Sequence, residues 1–382
     1  MNKDIIKKIY ICLKYQIIGD TIGFDNGEQK FNLKYDGILT KKKNPDDYIE
    51  ISSDTCNSMI FFYLSNGLLN GVINSYFSNQ QNNISYISKL NISILESFNK
   101  TNNIDDLVNN FKETLLKNYT QDKLVNSRHY SKDLQQNINR LVYKKNINKK
   151  YDINQNDSDV ASRSLLYGIY FNKLDDIIDI VIKSGKITHS NGIALLGGIS
   201  TALFTYFIIK KIKINLWIYE LLKIIKSNKF KNIYLNNVSK DEIKYYIHDL
   251  DFFISKINEY IEYKFDKNKK INKNIAFLYP NIRFQYYFIK YSNDKSKFYP
   301  GNNGLDSIII VYDCLLDTIY SNGNNYETLI SYTAFNTGNS NTLCSIALAL
   351  YNLLEKDKYT DDFILFEKII KELNYIKKRI II

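Results

Sequence analysis

The chain contains few of the residues that interrupt helices, bind zinc or form disulfides. Only three of its 382 residues are proline, four are cysteine and three are histidine. So few prolines allow long uninterrupted helices. The cysteines are far apart, without a C-x-x-C pair, and no histidine stands at a zinc-ligand spacing. This pattern favours buried free thiols in a reducing, cytoplasmic compartment over a zinc or disulfide framework.

The basic charge of the chain is spread thinly rather than concentrated. The formal net charge is +11, and most of the positive charge comes from short, scattered lysine runs such as residues 41–43 and 149–150. No arginine-rich block or nucleic-acid-binding motif accompanies these runs. We therefore expect a solvated lysine surface and do not expect a nucleic-acid partner.

The periodicity of the apolar residues predicts an all-α protein. Apolar side chains recur at helical spacing in residues 165–171, 174–182, 216–225, 243–261 and 363–373. Strand-like alternation is scarce, and no polar segment is long enough to be a convincing linker. We therefore expect one compact multi-helical domain that spans residues 1–382.

Residues 192–209 (GIALLGGISTALFTYFII) form the longest apolar run. This run is barely long enough to cross a membrane. Its paired glycines, serine and threonines suit close helix packing inside a large core. We expect a buried central helix and no membrane span. Lysines also interrupt the apolar N-terminal residues, which argues against a secretory signal.

Five polar motifs punctuate the helical segments. They are residues 19–23 (GDTIG, followed by Asn26 and Gly27), 52–55 (SSDT), 184–189 (SGKITH), 300–306 (PGNNGLD) and 337–342 (TGNSNT). The first is expected to end the first helix, and the others are expected to open helices. Oxygen-bearing side chains and free amides at helix N-termini can hold phosphate groups, although they are also ordinary helix caps.

In this order the motifs resemble the ADP-ribosylglycohydrolase family, especially its ADP-ribosylarginine hydrolase branch and that branch's inactive relative. The resemblance runs from Ile9 to about Leu354, and it is poor around residues 125–150 and 226–298. It implies an orthogonal bundle of helices, an ADP-ribose ligand and two Mg²⁺ ions between the early and late motifs.

The positions that the resemblance assigns to metal have lost most of their negative charge. They are Ser52, Ser53, Asp54, Asn339, Asn341 and Thr342. The family has four carboxylates in this set, and here only Asp54 remains, which makes it the one expected catalytic carboxylate. Two neighbouring divalent cations repel each other unless anionic ligands lie between them. We therefore expect Mg²⁺ to be weakly bound or lost, with at most one ion.

The resemblance also implies a ligand pocket. Its residues would be Asp20, Arg163, His189, Gly301, Asn302, Asn303, Gly304 and Asp306. The family's diphosphate loop corresponds to residues 156–163, where glycines are missing and Asp157 and Asp159 add negative charge. Arg163 would either compensate for those charges or pair with them. His189 would either contact the ligand or serve the structure, and both Asp20 and Asp306 are pocket members or helix caps.

Three functions remain open at this point. The first is a catalytically impaired relative that binds an ADP-ribose-like ligand, ADP-ribosylated protein or another protein partner. The second is an active Mg²⁺-dependent hydrolase that removes ADP-ribose from modified side chains. The third is a structural or assembly protein that docks through its lysine-rich surface.

Overall fold

The protein is all-helical throughout the part of the chain that the structure describes. The computed structural model describes residues 3–26, 84–98, 103–122, 130, 132–143, 150–272, 283, 286–287, 300–321, 326–334 and 339–355. Within these ranges there are fourteen α-helices, one short 3-10 turn and no strand. Only two isolated β-bridges occur among the described residues. The predicted all-α class is confirmed.

The helices are numbered here in chain order. The first seven are α1 (Lys3–Asn26), α2 (Tyr86–Ser97), α3 (Ile104–Gln121), α4 (Lys132–Val142), α5 (Asp159–Arg163), α6 (Leu165–Tyr170) and α7 (Leu174–Lys186). The next seven are α8 (Gly192–Ile209), α9 (Trp217–Ile225), α10 (Asn228–Asn236), α11 (Ile243–Lys264), α12 (Gly304–Ser321), α13 (Tyr326–Ala334) and α14 (Ser340–Glu355). The periodicity correctly predicts α6, α7, α9 and α11, while the predicted helix at residues 363–373 lies outside the described residues.

Helix α8 forms the centre of the core. It is long and apolar enough to cross a membrane, but 83% of it is buried inside the protein, as expected for a core helix. It packs against α5, α6, α7 and α12. Its two glycines allow this crowding, because a side chain on Gly197 would collide with the backbone of Gly304, and one on Gly198 would collide with Val160.

Helices α1 and α14 form the most extensive helix pair of the described residues. Side chains on Gly19 and Gly23 would collide with the carbonyl oxygens of Cys344 and Ser340, respectively. The prediction that residues 19–23 end the first helix is wrong, because α1 continues to Asn26. These glycines permit close approach of two backbones, and they do so within a regular helix.

A closed ring of buried charges joins α11 to α12. Lys264 lies 2.6 Å from both Asp313 and Asp317, and Arg283 lies 2.8 Å from Asp313 and also pairs with Asp317. Burial alone would raise the pKa of Asp313, but the two cations lower it to about 2. The pKa of Asp317 is instead raised by burial and by Asp313. Two cations thus balance two carboxylates in a buried setting.

We predict that Gly23→Ala destabilises the protein, although alanine normally favours a helix interior over glycine. The added methyl group would overlap the backbone of α14, and such overpacking costs about 1–3 kcal/mol. Urea denaturation measures the effect, with Lys7→Ala on the exposed face of α1 as the control. A neutral or stabilising Gly23→Ala would contradict the close contact.

We also predict that Lys264→Met lowers the free energy of unfolding by about 3–5 kcal/mol, because it leaves an unbalanced buried carboxylate. Adding Asp317→Asn should recover part of that loss by restoring neutrality. The control is Lys256→Met on the same helix, where an exposed pair with Glu259 should contribute at most about 1 kcal/mol. A double variant that is as unstable as the sum of its parts would contradict a coupled ring.

Candidate functional site

The short segment 156–158, just before α5, ties together several of the polar motifs. Its backbone pairs with the fourth motif, since the Ser158 amide donates to the Asn302 carbonyl at 2.9 Å. The Gly304 amide donates in turn to the Asn156 carbonyl at 3.0 Å. An isolated bridge between Asp157 and Asn303 completes this junction. The fourth motif is therefore held by backbone bonds.

Within the fourth motif, Asn303 opens α12 as a helix cap. Its side-chain oxygen accepts hydrogen bonds from the Leu305 and Asp306 amides at 2.8 and 2.9 Å. Its amide nitrogen donates to the Asp306 carboxylate at 2.7 Å. Asp306 is buried within this cap. The cap interpretation of Asp306 is therefore supported by its geometry.

The fourth and fifth motifs meet at Gly301. This glycine has a φ of +80°, a left-handed conformation that glycine adopts without strain. A side chain here would also collide with Leu343 of α14. The neighbouring Pro300 carbonyl accepts a hydrogen bond from the Asn339 amide at 3.0 Å. Backbone geometry thus places the two motifs side by side.

The asparagines of the fifth motif act as hydrogen-bond donors. The Asn339 side chain donates to the Ser158 hydroxyl at 2.9 Å, and that of Asn341 donates to the Ser85 hydroxyl at 3.2 Å. The Thr342 hydroxyl is buried and has no hydrogen-bond partner among the described residues. The two amide nitrogens therefore act as hydrogen-bond donors in this network. Carboxylate oxygens could not take that role, because they only accept hydrogen bonds.

Asp20 of α1 anchors the start of α2. Its carboxylate accepts hydrogen bonds from the backbone amides of Ser85 and Ser88, at 3.0 and 3.2 Å, and from both serine hydroxyls. Burial raises the pKa of Asp20 to about 6, although these four bonds oppose the shift. Ser85 was not among the predicted site residues, because its only signal in the sequence is that of an ordinary N-cap before an apolar run.

His189 lies in a chain of buried polar groups that runs from Asp157 to Arg163. Its Nε2 atom lies 2.6 Å from an Asp157 carboxylate oxygen, and its Nδ1 atom lies 2.8 Å from the Thr188 hydroxyl. The Thr188 hydroxyl in turn accepts a hydrogen bond from the Arg163 guanidinium at 2.6 Å. Because both ring nitrogens are engaged, the geometry favours a positioning role for His189.

Arg163 is completely buried. One of its terminal nitrogens donates to Thr188 and Ser184, while the other two nitrogens have no hydrogen-bond partner among the described residues. Its guanidinium lies 5.3 Å from the centre of the Phe111 ring. Burial lowers its pKa, and the charges of nearby carboxylates only partly oppose this. Within the described ranges Arg163 forms no ion pair, so direct pairing with Asp157 or Asp159 is absent there.

One group of described residues has the composition of a metal site. Ligand atoms of Asp157, Asp159 and His189 lie within 4.8 Å of one another, and all three residues are buried. Several of these atoms are already engaged, because Asp157 and His189 share a hydrogen bond and one oxygen of Asp159 accepts one from Tyr86 at 2.5 Å. A metal ion bound by His189 would have to displace a hydrogen bond, since both of its ring nitrogens are in use. The group therefore fits an internal hydrogen-bond network better than a metal centre.

Of the positions that the resemblance assigns to Mg²⁺, those that the structure describes provide no carboxylate. Asn339, Asn341 and Thr342 lie together at the start of α14 and offer only neutral oxygens. The nearby Asp20 carboxylate is fully used by its serine donors. Mg²⁺ is normally anchored through carboxylates, and neutral oxygens alone hold it weakly. The described residues do not fit two ions, and no metal-dependent step follows from their arrangement.

The structure brings most of the predicted pocket residues into one connected region. The connected residues are Asp20, Arg163, His189, Asn302, Asn303, Gly304, Asp306, Asn339 and Asn341, with Gly301 and Thr342 alongside. Ser52, Ser53 and Asp54 lie outside the described residues, so their predicted metal and catalytic roles stay predictions.

Comparison with known proteins gives two informative relatives. The chain is 26% identical over 357 residues to an inferred ADP-ribosyl glycohydrolase, L444, of Acanthamoeba polyphaga mimivirus, which covers 92% of this chain and 64% of that protein. It is also 26% identical over 213 residues to the ADP-ribosylhydrolase ARH1 of Dictyostelium discoideum, which covers 51% of this chain and 52% of that protein. No protein-family model matches the chain.

These relatives support the ADP-ribosylglycohydrolase family for this chain, and its all-helical architecture is consistent with the fold of that family. The chain thus matches less than two thirds of the length of the first relative and about half of the length of the second. The activity and substrates of these longer proteins are therefore not assigned to this chain by the comparison alone.

We predict that Asp20 makes the stability of the protein depend on pH. Its pKa is about 6 in the folded protein against an ordinary value of 3.8, so the folded state retains this proton to higher pH. The associated stability is complete below about pH 4 and is lost as the pH rises through about 6. Relative to Asp20→Asn, the wild type should lose about 3 kcal/mol over that range.

Urea denaturation of both proteins at a series of pH values measures this difference, with circular dichroism checking that each is folded at the start. Parallel stability curves for the two proteins would contradict a raised pKa for Asp20.

Proposed function

We propose that this protein is a catalytically impaired relative of the ADP-ribosylglycohydrolases. It binds an ADP-ribose-like ligand, free or attached to protein, and turns it over slowly or not at all. The proposal includes membership of that family, a single domain over residues 1–382 and a reducing intracellular location. The buried free thiols of Cys12, Cys314 and Cys344 support the last point.

The observation that carries the proposal is the way in which Asn339 and Asn341 are used. Each donates its amide to a serine hydroxyl that belongs to the surrounding hydrogen-bond network. An aspartate in either place would present only acceptor oxygens and would need the serine to reverse its own bond. These two positions thus supply hydrogen-bond donors to the network, and they add no negative charge for a metal ion.

The neighbouring scaffold nevertheless remains closely built. The close α1–α14 packing, the left-handed Gly301 and the backbone junction of residues 156–158 with Asn302 are all in place. Such features fix the relative positions of the motifs whether or not they catalyse a reaction. This combination, an intact scaffold with few carboxylates, is the expected property of a binding protein derived from an enzyme.

A second candidate is an active Mg²⁺-dependent hydrolase of ADP-ribosylated protein. The names of both relatives favour it, as does the buried, unpartnered hydroxyl of Thr342 beside the two asparagines. In that case Asp54 would be the main metal ligand, assisted by Ser52, Asn341 and Thr342. Such an enzyme would rest on one ion rather than two.

The test is calorimetric titration of the purified protein with ADP-ribose, without metal, with Mg²⁺ and after addition of a chelator. We expect binding that is nearly independent of Mg²⁺, with no release of ADP-ribose from ADP-ribosylated protein. Binding that disappears with chelator, together with turnover that is lost in Asp54→Ala, would establish the hydrolase instead. Absence of binding under all conditions would contradict both and favour a structural role.

A restored variant tests the assignment of the metal positions. Ser53→Asp, Asn339→Asp and Asn341→Asp together should raise Mg²⁺ affinity at least about tenfold, because they return three carboxylates to the shell. The matched control is Asn302→Asp with Asn303→Asp, which adds acids to the fourth motif instead. Equal Mg²⁺ affinity in both variants would contradict the assignment.

A further inference from the structure

A large cavity opens beside the polar network, on the side of α7 and α11. It has a volume of about 1130 Å³. Its walls come from the segment before α5, the α7–α8 connection and the start of α11. The lining residues include Lys150, Tyr151, Ile153, Lys186, Glu242 and Tyr245. A cavity of this size is large enough for a small organic molecule.

Lys186, the last residue of α7, lines this cavity, and its amine has one hydrogen-bond partner among the described residues. Its Nζ atom donates to the backbone carbonyl of Asn237, just beyond the end of α10. It is half-buried and forms no ion pair among the described residues. Burial lowers the pKa of this amine, and the charge of Glu242 only partly opposes the effect. A larger fraction of Lys186 is therefore neutral than of an ordinary lysine.

Lys183, one turn earlier on the same helix, provides an internal contrast. Its amine pairs with Asp105 at 2.8 Å and with Asp179 at 2.9 Å. Burial would lower its pKa, but these two carboxylates raise it. The amine of Lys183 is therefore kept protonated, and its nitrogen has no lone pair available for reaction. The same helix thus carries one lysine held in the charged form and one that is not.

Charged and titratable residues line each wall of the cavity to which Lys186 belongs. They are Lys150 and Asp152 from the segment before α5, His189 from the α7–α8 connection, and Asp241, Glu242 and His248 from the start of α11. Glu242 accepts a hydrogen bond from the Tyr151 amide at 2.6 Å and forms no ion pair with Lys186. The acidic residues of the cavity thus do not keep the Lys186 amine fully protonated.

An aromatic wall completes the cavity. The rings of Tyr151 and Tyr245 stack with centroids 4.8 Å apart and an angle of 13° between their planes. Tyr245 is 43% exposed although it is a large aromatic residue, and neighbouring Ile153 is 68% exposed. Apolar surface of this kind beside a few polar groups is typical of a site for a small ring-bearing molecule.

We propose that Lys186 is a carbonyl-capture site, at which the amine condenses with a small aldehyde held against the Tyr151–Tyr245 wall. The Nζ lone pair attacks the carbonyl carbon, a C–N bond forms, and the former carbonyl oxygen takes up a proton as the nitrogen loses one. The resulting hydroxyl group then leaves as water together with the remaining proton of the nitrogen, and a C=N bond remains. No oxidant or reductant is needed, and the product is reversible until it is reduced.

The test uses pyridoxal 5′-phosphate, an aromatic aldehyde, followed by borohydride reduction and peptide mass spectrometry of the full chain. We expect Lys186 to be labelled about tenfold faster than Lys183 at neutral pH, because each unit of pKa difference changes the neutral fraction of an amine about tenfold. The rate at Lys186 should rise with pH and level off earlier than at surface lysines.

Two variants separate reactivity from structure. Lys186→Arg retains the donor to Asn237 and should abolish the fast labelling, whereas Lys183→Arg should leave it unchanged. Tyr245→Ala should slow labelling at Lys186 by about threefold or more, because it removes part of the aromatic wall. Thermal melting confirms that each variant is folded.

Labelling that follows exposure alone, with Lys186 no faster than Lys183, would overturn the proposal. So would fast labelling that persists in Lys186→Arg. Neither result depends on ADP-ribose, so this proposal and the proposed function fail independently of each other.

Discussion

The contact between the backbones of α1 and α14 is the constraint on which the rest of the site depends. Gly19 and Gly23 let the first described helix lie directly on the first turns of the last one. This closeness sets Asp20 near Ser85 and, through Ser85, near Asn341. With larger side chains the two helices would have to separate, and the polar network between them would lose its geometry. Packing of the backbone thus determines where the polar atoms lie.

Around that contact, the polar groups are satisfied mainly by one another. Asp20 is surrounded by serine donors, Asp157 by His189, and the asparagines of α14 by serine hydroxyls. In a preformed metal site, several carboxylate oxygens usually point towards a common centre. Among the described residues, Asp20, Asp157 and Asp159 are instead hydrogen-bonded to groups within the protein. This difference is the structural ground on which a binding role, rather than that of an ordinary hydrolase, is proposed.

Much of the fold could be predicted because its signals are local. Helices α7 and α11 follow from apolar spacing alone. The glycines of α1 were misread, since a glycine suits a turn and a close helix contact equally well. The ring around Lys264 was not predictable, because nothing in the sequence pairs a lysine with acids that are distant along the chain. Ser85 was missed for the same reason.

The pairing of α1 with α14 also has a consequence for synthesis on the ribosome. Each helix is the other's main partner, yet almost all of the described chain lies between them. During synthesis the apolar face of α1 emerges from the ribosome long before α14, its main packing partner. Contacts between such distant segments also form late in folding. The nascent protein would therefore expose Ile9, Leu13 and Ile17 for most of its synthesis, which makes α1 a natural binding segment for chaperones.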